Sequence, residues 1–191
     1  MILPIRAYGD SVLRRKSIEI DENYSELEIL IDNMFQTMYN SKGVGLAAPQ
    51  IGLNIRLFIV DASPFSDDKE FSLIERRELK QFKKVFINPK ILEENGDKWS
   101  FEEGCLSIPE IRAEVERREE IVVEYFDENW VKHKRIFSGI AARIIQHEYD
   151  HIEGILFIDY MSSLKRKLLN RKLNDISKGN IETSYKMKFP K

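Results

Sequence analysis

The sequence predicts an α+β fold built as one domain. Segments with helical and extended patterns follow one another without strict alternation, which favours α+β over a doubly wound parallel sheet. No internal repeat, low-complexity tract or Pro/Gly/Ser-rich linker divides the 191 residues, so we expect a single domain over residues 1–191. With 42% hydrophobic and 32% charged residues, the chain has the balance of a globular protein rather than of a collagen or a disordered tail.

The N-terminal half contains one predicted amphipathic helix followed by two predicted strands. Apolar residues recur at helical spacing over 24–39, behind a capping-box pattern at Ser25 and Glu28. Apolar runs rich in β-branched residues at 55–60 and 85–87 are typical of strands. The apolar side of the helix therefore needs a sheet or another helix to cover it.

The C-terminal half is predicted to contain a hairpin and a long helix. Strands at 121–126 and 131–137 lie on either side of Asp127-Glu128-Asn129, a typical turn sequence. A second helix is expected from Ser138 to Gly154, because a glycine readily adopts the left-handed conformation that ends a helix.

Two further segments of the chain are rich in charged residues. Residues 65–84 are crowded with charges and their apolar residues keep no clean period, which indicates a surface insertion. Residues 161–191 hold nine Lys and Arg against Asp175 and Glu182, so they carry +7 while the rest of the chain carries −9. This basic segment contains a third predicted helix, from 162 or 163 to about 177, and a tail. Such a segment is typical either of a solvated amphipathic helix or of a contact with nucleic acid or the ribosome.

The start of the chain predicts a cytoplasmic protein. It lacks the basic region, apolar core and cleavage site of a signal peptide. No run approaches the ~20 apolar residues that cross a bilayer, so no membrane partner is expected.

An H-E-x-x-H pattern lies inside the second predicted helix. His147 and His151 are four residues apart and therefore project from one helical face, where both imidazoles can bind the same metal ion. Glu148 lies beside them, near the position where a metal exchanges its open ligand. Ile140 and Ile144 continue the same face, so the histidines point toward the core.

A catalytic metal needs a third protein ligand and an open position for water. Cys105, the single cysteine, lies in Glu102-Glu103-Gly104-Cys105-Leu106-Ser107-Ile108-Pro109, where Gly104 permits a tight turn and Pro109 is expected to end any regular element. A lone cysteine is otherwise a small buried hydrophobe. His133, the remaining histidine, lies between lysines on an alternating strand and is a poor ligand candidate.

A third motif, GVGLAAPQIG at residues 43–52, directly follows the first helix. Its small residues allow the backbone to lie along a ligand or against the metal-binding helix. Gln50 is its one large polar side chain. The motif lacks the spacing of a phosphate-binding loop.

GVGLAAPQIG, EGCLSIP and QHEYDHIEG, in this order, resemble the three signature motifs of the peptide deformylases. The opening LPIRAYGDSVLRRKS is also similar to that family, whereas the charged insertion and the tail ending YKMKFPK depart from it. The resemblance implies largely antiparallel sheets around a central helix carrying H-E-x-x-H, with N- and C-terminal helices. It also implies removal of the formyl group from the N-terminal formyl-methionine of nascent polypeptides.

The resemblance assigns Cys105, His147 and His151 as ligands of one divalent metal ion, which supplies hydroxide to attack the formyl carbon. One thiolate and two imidazoles suit Zn, Fe, Co or Ni, and the family commonly uses Fe(II). Glu148 is then the general base. The Gln50 side chain and the Leu106 backbone N–H are expected to stabilise the oxyanion.

Substrate-binding residues are predicted around the same motifs. The methionine side chain needs an apolar pocket, and the glycines leave room for an extended peptide. Arg112 resembles a substrate-side residue of the family, although an ordinary solvated arginine fits its position too. The predicted substrate contacts are Gly43, Val44, Gly45, Arg112, Ile140 and Ile144. Glu103 and Asp150 are candidate acceptors that orient a histidine or an arginine.

Two other functions fit parts of this pattern. An H-E-x-x-H metallopeptidase requires a carboxylate as the third ligand. A non-enzymatic binding module with a closed metal site requires a fourth protein ligand, and His133 is the spare histidine. In that case the basic tail would dock to RNA. The proposed partners of the enzyme are formyl-methionyl nascent peptides and the ribosome, with no DNA.

Overall fold

The computed structural model describes residues 1–190; Lys191, the last residue of the predicted basic tail, lies outside the described residues. Within that range the chain forms seven strands and five α-helices, joined by loops and short 3₁₀ turns. In order they are β1 Ile5–Arg6, α1 Leu27–Asn40, β2 Gly45–Ala47, β3 Leu57–Asp61, α2 Leu73–Lys80, β4 Lys83–Cys105, β5 Ile108–Phe126, β6 Lys132–Ser138, α3 Gly139–Glu153, α4 Ser163–Leu168, α5 Asn170–Lys178 and β7 Met187–Lys188.

The five strands from β2 to β6 form one antiparallel sheet in sequence order. Strands β1 and β7 form a small parallel pair that joins the two ends of the chain. The predicted α+β class with largely antiparallel sheets is therefore confirmed. Each helix within residues 1–190 is too short or too polar to span a lipid bilayer.

Strand β3 lies at the centre of the core because both of its faces are buried. Phe58 and Val60 pack in one apolar cluster with Ile140 and Ile144 of α3. The alternate residues of the strand pack on the other side with α1, as expected for side chains that alternate across a sheet. The helix that carries H-E-x-x-H is thus held against the sheet by its apolar face.

The predicted boundaries of α3 are confirmed. Ser138 is the N-cap residue, and Gly154 ends the helix in the left-handed conformation with φ 76°. A Cβ atom at Gly154 would lie 2.8 Å from the backbone of Arg14, so a larger residue is excluded by contact as well as by conformation.

The prediction for residues 88–120 was incomplete, because β4 and β5 together form a hairpin far longer than the two short strands expected. Most side chains from 92 to 100 are exposed and charged or polar, so no apolar alternation marks them. Backbone pairing with the partner strand forms this part of the sheet. Pro109 does not end a regular element; it is the second residue of β5, where a missing N–H is tolerated.

Two helix predictions need correction near the ends of the chain. Helix α1 begins at Leu27 without the expected Ser25 capping box, because Glu26 adopts the left-handed conformation with φ 57°. The third predicted helix is divided into α4 and α5 at Leu169. Leu164 and Leu168 of α4 are exposed, whereas Leu173 and Ile176 of α5 are buried.

The charged insertion contains an unpredicted helix, α2. Its first turn is held by a reciprocal capping box, in which Glu75 N donates to Ser72 Oγ over 3.3 Å and Ser72 N donates to Glu75 Oε2 over 2.8 Å. Leu79 is buried, but Leu73 and Ile74 are exposed. Polar capping rather than an apolar face thus defines this helix, which explains why periodicity missed it.

Candidate metal centre and substrate cavity

Cys105, His147 and His151 meet in the structure. One donor atom of each lies within 4.8 Å of the others. Cys105 is the last residue of β4, and its Sγ lies 3.2 Å from His151 Nε2. The histidines are one turn apart on α3, with ring centroids separated by 5.1 Å. This sulfur and two nitrogens suit a divalent transition metal.

The ligand orientation of His147 is set by a buried carboxylate. His147 Nδ1 lies 2.8 Å from Glu103 Oε2, which leaves Nε2 to face Cys105 and His151. Arg117 donates to the same carboxylate from Nε over 2.7 Å and from Nη2 over 3.0 Å. Burial alone raises the pKa of Glu103, but the bonds from His147 and Arg117 outweigh burial and lower it below its usual range.

Asp150 holds Arg117 from the other side. Arg117 Nη1 lies 2.7 Å from Asp150 Oδ2, and Tyr160 Oη donates to Asp150 Oδ1 over 3.1 Å. The prediction is therefore confirmed for Glu103, which bonds to both a histidine and an arginine, whereas Asp150 forms an ion pair with Arg117.

Glu148 is buried beside the three donors, with 4% of its surface exposed. Its Oε2 atom has no hydrogen-bond partner among the described residues. Burial raises the pKa of Glu148 to about 7, because the charged carboxylate loses its hydration. A Cβ atom at Gly45 would overlap Glu148 Oε1, so β2 approaches the carboxylate as closely as a glycine allows.

Gln50 is buried in the 3₁₀ turn Ala48–Ile51 that follows β2. Its Oε1 accepts from the backbone N–H of Ala47 over 2.8 Å, which identifies the other end of the amide as the donor. Its Nε2 lies 3.5 Å from Cys105 Sγ and 3.4 Å from Ser107 Oγ. The glutamine therefore directs its N–H groups toward the metal centre.

A cavity of about 600 Å³ opens beside this centre. Gln50, Cys105, Leu106, His147 and Glu148 line it. The six predicted substrate contacts also line it, namely Gly43, Val44, Gly45, Arg112, Ile140 and Ile144. Arg112 is largely exposed and its Nη1 lies 3.4 Å from Glu102 Oε2, which places it at the rim.

Several residues around the cavity were not singled out in the sequence. Phe65 from the charged insertion and Phe101 from β4 add aromatic walls. Tyr185 reaches the cavity from near the C-terminus, and its Oη donates to the Leu106 carbonyl over 2.8 Å. These residues lie outside the three motifs, so no local sequence pattern indicated them. Arg143 of α3 also lines the cavity, but in the sequence it could not be distinguished from an ordinary solvated arginine.

The structure does not support the two alternative functions, a metallopeptidase and a binding module with a closed metal site. The third converging donor is the Cys105 sulfur, whereas a metallopeptidase site would need a carboxylate. His133 is directed elsewhere, with Nε2 2.7 Å from Asp127 Oδ2 and its ring stacked on Tyr125. It is therefore not available as the fourth ligand of a closed structural site.

The family model, the related sequences and the solved structures that match this chain all belong to the same protein family. The chain matches the polypeptide deformylase family over residues 2–167. It is 60% identical to a peptide deformylase of Christiangramia forsetii, with 100% of this chain and 97% of that protein aligned. It is 52% identical to one of Flavobacterium johnsoniae, over 99% of this chain and 96% of that protein. A crystal structure of peptide deformylase from Plasmodium falciparum superposes with a TM-score of 0.78 at 39% identity, covering 92% of this chain and 95% of that one.

Proposed function

The chain belongs to the polypeptide deformylase family, and on that premise we propose how its residues remove the formyl group from an N-terminal formyl-methionine. It is a metal-dependent hydrolase that acts on formylated nascent peptides. The observation that carries the assignment of roles is the convergence of Cys105, His147 and His151 beside Glu148.

Cys105 Sγ, His147 Nε2 and His151 Nε2 would hold the divalent metal ion. When bound, that ion would act as a Lewis acid and lower the pKa of its bound water from about 15.7 toward neutrality. Glu103 supports this arrangement by orienting the His147 ring, since its carboxylate is bonded to Nδ1.

Glu148 is proposed to move the proton. The water oxygen forms a bond to the formyl carbon, and Glu148 takes the proton that the water loses. The carbon–nitrogen bond then breaks, and Glu148 passes the proton to the departing nitrogen, so the products are formate and a free amine. A carboxyl with a pKa raised to about 7 can both accept and donate near neutral pH.

Gln50 and Leu106 are proposed to stabilise the negative charge that develops on the formyl oxygen. The Ala47 N–H fixes the Gln50 amide so that its N–H groups face the centre. Leu106 immediately follows Cys105 in the two-residue turn between β4 and β5, and supplies its backbone N–H. Because these donors are held in place before reaction, they need no reorganisation during it.

We expect Gln50→Ala to lower kcat by about 10²- to 10³-fold, the typical loss for one oxyanion donor, while metal content is unchanged. Steady-state kinetics and metal analysis of the purified variant measure both quantities. The matched control is Gln146→Ala, because Gln146 is equally buried but donates to the Arg118 and Ala142 carbonyls instead. Equal kcat losses in the two variants would contradict the assigned role.

The substrate methionine is proposed to occupy the apolar part of the cavity. Val44, Ile140 and Ile144 form its walls, and the latter two are almost fully buried. Gly43 and Gly45 lie at or next to β2, an edge strand of the sheet, where an extended peptide can pair with the backbone. Arg112 at the rim is proposed to contact the peptide beyond its first residue.

Hydrolysis of formyl-methionyl peptides tests this function directly. We expect release of formate from the formylated peptide, with no release of acetate from the matched N-acetyl peptide. The unmodified peptide is the second control and should remain intact. A metallopeptidase, by contrast, would cleave the backbone of this peptide. Backbone cleavage without formate release would overturn the proposal.

We propose Fe(II) as the native metal, with Zn, Ni or Co as possible substitutes. The donor set of one thiolate and two imidazoles fits all four. The ferrous form should lose activity in air or peroxide, because Fe(II) is readily oxidised and its reaction exposes the bound thiolate to oxidation as well. The Ni(II) form should persist under the same exposure. Activity half-lives of the two forms measure this, and equal half-lives would contradict it.

We propose that the basic C-terminal helices contact the ribosome. Lys165, Lys167, Arg171 and Lys172 are exposed on α4 and α5. Arg166 is partly engaged with Asp159 at 3.2 Å. A surface of lysines and arginines suits the phosphates of ribosomal RNA, and the same location would place the enzyme near its substrate.

We expect replacement of Lys165, Lys167 and Lys172 by glutamine to weaken ribosome co-sedimentation several-fold at low salt. Added salt should reduce binding of the wild-type protein steeply, since phosphate contacts release counterions. A variant with Lys134 and Arg135 replaced by glutamine is the control for lowered net charge, because both are exposed on β6, outside the basic helices. Unchanged sedimentation of the first variant would end the proposal.

Residues 1–191 are proposed to form one catalytic domain, with 65–84 as a charged surface insertion. All three apolar clusters are shared by elements distant in sequence, which supports a single core. We also propose that the protein works in the cytoplasm, where nascent formylated chains emerge from ribosomes.

A further inference from the structure

Arg143 is a buried cation that the proposed reaction does not use. It lies on α3 one turn before His147, with 2% of its surface exposed, on the wall of the substrate cavity. Because residues four apart share a helical face, its side chain lies beside that of the metal-binding histidine. A buried cation is costly unless its hydrogen bonds are satisfied, so its partners indicate what it does.

The guanidinium of Arg143 connects α3 to both strands of the β4–β5 hairpin. Nη1 donates to the Val115 carbonyl over 2.8 Å, and Nη2 donates to the Trp99 carbonyl over 2.6 Å. The group also lies 4.3 Å above the Trp99 ring. These contacts hold the guanidinium in one plane and one place.

From this place Nη1 of Arg143 also donates to Glu103 Oε1 over 3.1 Å. Glu103 Oε1 is shared with Arg117 Nε, while Oε2 faces His147 Nδ1. The carboxylate is therefore held by an arginine from β5 and by another from α3. Its rotation is restricted, and the direction of the oxygen that meets His147 is fixed.

Two carboxylates of this buried cluster pair with two guanidinium groups. Glu103 and Asp150 carry two negative charges, and Arg117 and Arg143 carry two positive charges. Removal of Arg143 would leave an uncompensated negative charge in a region of low dielectric next to the metal centre. Glu103 could then move toward Arg117 and away from His147.

We propose that Arg143 is a positioning residue for the metal centre, which acts by fixing Glu103 and thereby the orientation of His147. The inference rests on the proposed ligand set, because His147 must be a ligand for its orientation to affect metal binding. Loss of a residue that orients a metal ligand typically weakens metal affinity about 10- to 100-fold.

Arg143→Met tests this inference in the Co(II)-substituted protein, since methionine fills a similar volume without the charge. We expect Co(II) affinity, measured by competition with a chelator, to fall about 10- to 100-fold. The d–d absorption of bound Co(II) should also shift, because the histidine ligand is no longer held in one orientation. Arg143→Lys retains the charge near Glu103 and should recover part of the affinity.

Arg56→Met is the matched control. Arg56 is also buried and donates to a carboxylate and a backbone carbonyl, at 2.6 Å to Glu153 Oε1 and 2.8 Å to Pro89 O. It lies over the Tyr149 ring but bonds to none of the residues around the metal centre. We expect it to lower thermal stability while Co(II) affinity and absorption stay at their wild-type values.

Wild-type Co(II) affinity and absorption in Arg143→Met would overturn the inference. If that variant does not fold, Arg143→Lys takes its place, with an expected loss of affinity of several-fold and the same overturning result. Failure of the ligand set itself has a different signature. Wild-type protein would then bind Co(II) without sulfur-to-cobalt charge-transfer absorption, or Cys105→Ser would leave that absorption unchanged.

Discussion

Glu148→Gln is expected to lower kcat by about 10²- to 10⁴-fold, the range typical of a lost general acid–base group. Glutamine keeps the size of the side chain but cannot take a proton from water. Metal content should remain at the wild-type level, because the three converging donors are Cys105, His147 and His151. Kinetics on a formyl-methionyl peptide, together with metal analysis of the same preparation, measure both effects.

Glu153→Gln provides the control on the same helix. Glu153 is ionised and bonded to Lys16 and Arg56, at the opposite end of the H-E-x-x-H segment from the cavity. Its replacement should leave kcat within a few-fold of wild type. A Glu148→Gln variant that keeps more than a tenth of the wild-type kcat, or that loses its metal, would refute the role of Glu148 as base.

Glu103→Gln is expected to lower the free energy of unfolding by about 3–5 kcal/mol, the range for removing one partner of a buried ion pair. The loss is large because Arg117 and Arg143 both bond to this carboxylate and both remain buried without it. Urea unfolding with the metal chelated measures the change without the contribution of metal binding.

Glu102→Gln is the matched control in the neighbouring position. The Glu102 carboxylate is exposed and pairs with the exposed Arg112 at 3.4 Å, so its removal should cost less than about 1 kcal/mol. Equal losses for Glu102→Gln and Glu103→Gln would show that burial of the carboxylate does not determine its contribution.

Sequence patterns predicted the parts of the fold in which neighbours along the chain define the structure. Helix α3 was located with its ends because Ser138 and Gly154 flank a periodic apolar face. Strand β3 was recognised from its apolar run, which is buried on both faces. The long hairpin was missed, since its exposed charges carry no period and its stability comes from pairing with a distant strand.

In the first half of the basic segment, helical spacing predicted a buried apolar face that the structure leaves partly exposed. Leu164 and Leu168 continue the helical spacing of Leu173 and Ile176, which predicted one helix with one apolar face. The helix is interrupted at Leu169, and Leu164 and Leu168 before the interruption are exposed. Spacing describes a possible helix face, whereas the surrounding elements decide which part of it is covered.

The amino-acid sequence was enough to identify the family, and it predicted the donor types of the metal centre and the acid–base group beside it. These depend on residue identity and on short spacings, such as the four residues between His147 and His151, which a helix converts directly into proximity. The identity of the carboxylate that orients His147, and of the arginines that hold it, became clear from the folded structure. Glu103 and Asp150 were both candidate acceptors in the sequence, but the partners of Glu103 are distant from it in the chain. Folding removes the water from these charges and makes each one depend on the others.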